Sequence, residues 1–190
     1  MRHLLLLLPF ALLPLSAQAH DPDEDAHGSL GKHEHGVAAL NLALEDKTLD
    51  IELETPAMNI LGFEHAASSD IDKATLAAAR TQLERPLELF GIPPAADCAL
   101  SSHALKSPLF GDAPAAPAHE AAEEAHPGHV HNDIDADYSL ACARPDALSG
   151  LDLTAFFKRF PETHSLHVQL IGPKGQQGIE LTPAQPRVSF

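Results

Sequence analysis

Imidazoles are the side chains whose type and spacing could do chemistry in this chain. The stretch HGSLGKHEHGVAAL, residues 27–40, places His33 and His35 two apart at the mouth of an apolar run. Residues two apart on an extended strand point to one side, which aims two ring nitrogens at one ion. Zinc takes about four N, S or O donors in a tetrahedron, so such a pair is half a site. Glu64 and His65, at a Gly-Phe-Glu-His corner, are candidates for the other half. So is His164, at a strand entrance with His167 three residues further on. On a strand that spacing sends the two rings to opposite faces, so one of them can join a common site. Each group also has an ordinary reading: an exposed H-x-H, a surface Glu-His ion pair.

A fourth group differs in kind. His119, His126, His129 and His131 sit with Glu120, Glu123 and Glu124 in SPLFGDAPAAPAHEAAEEAHPGHVHND, a Pro-, Ala-, Glu- and His-rich stretch. That composition cannot bury a core, so a long disordered loop is expected over 107–133. Its histidines read as metal-binding, and they must pay ordering entropy on capture, which favours weaker binding than at a preformed site. The ordinary reading is a solvated acidic loop with incidental histidines.

Catalysis has little support. The chain has no G-x-S-x-G and no H-E-x-x-H, and no Asp follows His35 at the spacing of an H-x-H-x-D hydrolase. A binding protein, not an enzyme, is the expectation. Composition points the same way. With 27 Asp+Glu against 12 Lys+Arg the net charge is −15, which disfavours nucleic acid and anionic membrane surfaces and suits cations. Trp is absent and Tyr occurs once, leaving no stacking platform for bases or sugars.

The opening MRHLLLLLPFALLPLSAQAH has a basic start, an apolar run from Leu4 to Leu15 and an Ala-Gln-Ala at 17–19. This is the pattern of a secretory signal peptide, residues 1–19, cleaved after Ala19. The apolar run is shorter than the roughly 20 residues a membrane span needs, so no stable membrane insertion is expected. A periplasmic location follows as the expectation. In such an oxidising compartment Cys98 and Cys142 read first as a disulfide, with a pair of thiolate zinc ligands as the rival.

These groups need a scaffold. Residues 20–32 read as a mobile acidic tail, and 33–190 as one metal-binding domain. Leu40, Leu42 and Leu44, then Leu49, Ile51 and Leu53, alternate about a Glu-Asp-Lys break, the signature of a hairpin. Ser69 and Asp72 form a capping box ahead of Leu76, Ala79 and Leu83, a helix that Pro86 kinks or restarts. Residues 97–106 and 134–143 read as two strands flanking the His-rich loop. Leu153, Phe156, Phe157 and Phe160 share one helical face, and THSLHVQLIGPKGQQGIELTP reads as a closing hairpin. The expected fold class is α+β: an antiparallel sheet built from hairpins, two helices packed on it, and the long loop.

The segments HEHGVAALNLALEDKTLDIELETPAMNILGFEHA, AFFKRFP and GQQGIELTPAQPRVSF, with the Cys98 and Cys142 pair, resemble the ZrgA-type family of periplasmic proteins linked to bacterial zinc uptake. The resemblance runs over roughly 33–190. The family's H-x-H-G falls on His33, His35 and Gly36, and its G-F-E-H on Gly62, Phe63, Glu64 and His65. Its His- and acid-rich insert between the cysteines matches residues 112–133. Thr55 stands where a Ser is frequent. The resemblance implies a zinc-binding accessory to import. The reading is therefore capture or buffering of Zn(II), with a zinc importer component as partner. His33, His35 and His65 would form the fixed site, with Glu64 or His164, and the loop histidines would collect ions. A copper- or nickel-binding protein of the same design, or a structural or partner-binding module, is the alternative, because imidazole sites favour Cu(II) over Zn(II) by raw affinity.

Overall fold

Alternating burial organises the structure. In the computed structural model, which describes residues 34–111 and 132–190, strand β1 (Val37–Glu45) buries Ala38, Leu40, Leu42 and Leu44 on one face. A tight turn, with Asp46 at φ 51, leads to β2 (Thr48–Pro56), which buries Leu49, Ile51 and Leu53 on the same face. Asp tolerates this left-handed backbone better than a branched residue. Helix α1 (Ala57–Leu61) follows directly from Pro56 and stops at Gly62, whose φ of 77 closes it. Helix α2 (Asp70–Leu83) starts in the expected capping box: the Ser69 hydroxyl accepts from Asp72 N–H, and the Asp72 carboxylate accepts from Ser69 N–H. Pro86 restarts the chain as α3 (Pro86–Leu89).

Strands β3 (Cys98–Lys106) and β4 (Asp133–Cys142) pair antiparallel, and a disulfide joins Cys98 to Cys142 at the end remote from the loop. The short β5 (Gly150–Asp152) precedes α4 (Thr154–Arg159). Then come β6 (Ser165–Gly172), β7 (Gly175–Leu181) and β8 (Arg187–Ser189), the last paired with β5 in a separate small sheet. The main sheet runs β3-β4-β2-β1-β6-β7. Phe90, Tyr138, Phe156, Phe157 and Phe160 pack on its inner face, and the Tyr138 hydroxyl donates to the Leu83 carbonyl at 2.8 Å.

Two expectations need correction. The sheet is mixed, because β1 and β6 pair in parallel with Val37 opposite Ser165. The first and last hairpins therefore share a strand boundary that local alternation cannot reveal. Among the described residues, four short α-helices replace the expected two. The ends of the 107–133 loop are also structured. Ser107 is buried and its hydroxyl accepts from Leu109 N–H in a turn at Pro108–Phe110. The Arg80 guanidinium stands over Phe110, 5.2 Å from the ring centroid, and Asn132 and Asp133 lead into β4. The tail and residues 112–131 lie outside the described residues. Among the described residues no helix is long and apolar enough to cross a membrane.

The disulfide closes a 44-residue separation, which in the chain-entropy account constrains the unfolded state by about 4 kcal/mol. Replacing both Cys98 and Cys142 by Ala should lower the unfolding free energy by up to that amount in urea titration. A loss under about 1 kcal/mol would show that the unfolded chain gains little from the crosslink.

Candidate metal site

Four strand ends meet at one edge of the sheet: the starts of β1, β4 and β6 and the end of β2. The residue just before β1 is Gly36. It occupies the third place of a turn closed by Val37 N–H donating to Glu34 C=O at 3.0 Å, and its φ is 91. A left-handed residue there is the ordinary demand of a type II turn, and glycine meets it without strain. His35 is thereby held at the second place of the turn.

Every side of Gly36 is used. Its N–H donates to the Asn59 carboxamide oxygen at 2.6 Å. Its carbonyl accepts from the N–H groups of His164, at 2.7 Å, and Ser165, at 2.9 Å. The His164 ring lies directly over its Cα, so that a Cβ built there would sit 2.8 Å from His164 Nδ1. The parallel pairing of β1 with β6 brings these two turns together.

From the other side comes the Gly-Phe-Glu-His corner. His35 Nε2 donates to Glu64 Oε1 across 3.1 Å, although 29 residues separate the two in sequence. The His35 side chain is 48% exposed and that of Glu64 is 14% exposed, so the pair sits at the surface with its carboxylate sunk beneath the ring. The Glu64 backbone carbonyl accepts from the Asn132 side-chain amide, and the Asn132 carbonyl accepts from Ala57 N–H at 2.8 Å. The loop's last residue before β4 is thus pinned beside Glu64.

The expected donors divide as follows. His35 and Glu64 meet, and His164 lies one residue away against Gly36. His65 turns from them: its ring stacks on Phe63 at 4.8 Å, and Nδ1 bonds the Ala66 carbonyl. It also stands near enough to the Asp72 carboxylate to help depress the latter's pKa, behind the larger effect of the Ser69 hydrogen bonds. His33, His119, His126, His129 and His131 lie outside the described residues. Among the described residues no three His, Cys, Asp or Glu side chains are grouped to hold an ion. With Cys98 and Cys142 oxidised, the thiolate alternative is removed.

A band of carboxylates runs up to this edge on the sheet's open face. Lys106, Asp135, Glu54, Ala39, His167 and Glu180 lie in one row across all six strands. Glu52 and Asp137 face each other in the next row. Partial burial, followed by repulsion from Glu52, Asp135 and Asp133, raises the Glu54 pKa. Burial, followed by Asp133 and Asp137, raises that of Asp135. Lys106 is the countercharge, at 3.1 Å from Asp137. Clustered carboxylates of this kind raise the local concentration of cations at a surface.

Residues 32–190 match the model of a family described as ZrgA family zinc uptake protein. The chain belongs to that family. No curated protein matches it. Membership of the ZrgA family assigns the chain to zinc uptake and covers the whole described fold, with the convergent edge inside it. Residue type marks the ionisable side chains of the ZrgA pattern in the sequence, whereas Asn59, which holds Gly36 and Val37, and Asn132, which holds the Glu64 carbonyl, carry no such mark. A buried amide in a five-residue helix gives no periodic signal, and the tie from Asn132 to Glu64 spans 68 residues.

The raised carboxylates carry a sign that can be checked. A folded-state pKa above the ordinary 4.5 of Glu54 means the fold binds that proton more tightly than the unfolded chain. The associated stability is present below that ordinary value and is lost as pH rises through the raised one. Glu54→Gln should therefore raise the melting temperature at pH 7, with the gain shrinking as pH falls and gone near pH 4. An equal gain at both pH values would assign it to something other than ionisation.

Proposed function

We propose that the protein is a periplasmic zinc-binding accessory to uptake, and not an enzyme, and that it captures Zn(II) at the edge where His35 meets Glu64. The observation that carries this reading is the 3.1 Å approach of His35 Nε2 to Glu64 Oε1. An imidazole nitrogen and a carboxylate oxygen are both good zinc donors, and a cation entering between them replaces the shared proton. His164, whose ring covers Gly36, is the third donor proposed from the described residues and would turn from Gly36 to reach the pair, since no three donors are grouped there as they stand. His33, two residues before His35, completes the H-x-H. His65 joins only by leaving its stack on Phe63.

The acidic band feeds the edge, since carboxylates at its border lower the electrostatic cost of holding a divalent ion near the surface. His119, His126, His129 and His131 serve as collectors on the loop that ends at Asn132. An importer component would receive the ion. The family's zinc uptake description supports zinc over copper or nickel as the cargo. The apolar leader at residues 4–15, and a disulfide of the kind that persists in oxidising compartments, support export.

Competition titration with Zn(II) tests the assignment. His35→Ala and Glu64→Ala should each weaken the tight site at least about tenfold, or 1.4 kcal/mol. Replacing residues 112–131 with a Gly/Ser linker of equal length should leave that site in place and reduce the total zinc bound. Wild-type affinity in both single variants would sink the edge site and move capture into the loop.

A further inference from the structure

We propose that Asn59 is the positioning residue of this site: its carboxamide sets where His35 stands relative to Glu64. The inference rests on the metal reading above and adds a residue to which no role had been given.

Asn59 sits in α1 and is 1% exposed. A primary amide buried without partners costs several kcal/mol, so its hydrogen bonds say what it is there for. Oδ1 accepts from Gly36 N–H at 2.6 Å, and Nδ2 donates to the Val37 carbonyl at 2.8 Å and to Thr55 Oγ1 at 3.1 Å. Both amide hydrogens and the oxygen are used. The orientation is fixed by the partners, since only an oxygen can receive Gly36 N–H and only an NH2 can serve a carbonyl.

The place of these bonds matters more than their number. The ladder of β1 with β2 begins at Ala39 and Glu54, two residues beyond Val37. At Gly36 and Val37 the Asn59 side chain takes the position a strand would have held, with one donor and one acceptor aimed at consecutive residues. It fixes the two residues that directly follow His35. Asn59 lies five positions before Glu64, which follows the end of α1 past Gly62 and Phe63. One carboxamide therefore ties the turn bearing the imidazole to the element bearing the carboxylate. Thr163, whose hydroxyl donates to the Asn59 carbonyl at 3.4 Å, ties in the residue before His164 as well. An Asp of the same shape would keep the bond from Gly36 and lose the donor to Val37, turning a carboxylate against a carbonyl.

The test uses the full chain and two readouts. In the first, Zn(II) affinity is measured for Asn59→Ala, His35→Ala and the double variant. Asn59→Ala should weaken binding at least about tenfold, and adding His35→Ala should cost little more, because residues acting through one another are non-additive. Tyr138→Phe, which removes one buried hydrogen bond elsewhere in the sheet, serves as the control and should lower the melting temperature without changing affinity. The second readout needs no metal. Glu64→Gln should shift the His35 ring nitrogen resonances in the wild-type background and leave them unmoved in the Asn59→Ala background.

Additive losses, or a Glu64→Gln shift that survives in Asn59→Ala, would overturn the positioning role. If zinc binding proves indifferent to His35→Ala, the metal reading fails, while the ring resonances still decide the role of Asn59. Should Asn59→Ala not fold, Asn59→Asp is measured in the same two ways with the same expected outcomes.

Discussion

Parallel pairing of β1 with β6 is the constraint from which the rest of this structure follows. Two parallel strands start at the same edge, and the chain between them must travel back along the sheet before it can begin again. Here that return includes β2, the helices and the β3–β4 pair, so most of the described chain is the crossover. Because β2 runs antiparallel to β1, and β4 to β2, the end of the one and the start of the other reach that same edge. Residues far apart in sequence, His35, Glu64, Asn132 and His164, are delivered there by direction alone. Side-chain chemistry then completes the work: Gly36 gives room, and two asparagines fasten the turns.

The open face carries a cost that the inner face covers. Glu52, Glu54, Asp135 and Asp137 crowd neighbouring strands, and like charges opposite one another in a sheet are unfavourable. Raised proton affinity at Glu54 and Asp135 comes from partial burial first and from this repulsion second. The inner face, with Leu40, Leu53, Ile134 and Leu140 fully buried beneath an aromatic cluster, holds the strands in register regardless. A protein that spends stability on clustered negative charge is suited to meeting cations.

Much of the scaffold was legible because it is local. The alternation at Leu40–Leu44 and Leu49–Leu53, the Ser69 capping box and the Phe156–Phe160 face each encode their element within a few residues, and each appears where expected. The cysteine pair was legible because two strands flanking one loop leave them opposite. What periodicity could not convey was the direction in which β6 meets β1, since a strand's pattern is the same in parallel and antiparallel company. At the site, the H-x-H-G and G-F-E-H segments were visible, and the partnership of His35 with Glu64 lay within the set proposed. His65, adjacent to Glu64 in sequence, stacks on the neighbouring Phe63 ring, a contact that spacing does not announce. Asn59 was invisible as an actor, because an amide announces its role only through its bonds.

The Cys98–Cys142 bond has an evolutionary corollary. It locks the strand pair at the end opposite to the loop, while Ser107, Phe110 and Asn132 fasten the two points where the loop departs and returns. Chain added between fixed points costs closure entropy only logarithmically, about 0.6 kcal/mol for each doubling. By that measure, a change in chain length between the fixed points Gly111 and Asn132 alters the closure cost little. On the reading proposed above, the number of histidines carried there can drift with metal supply while the edge that holds His35 and Glu64 stays unchanged.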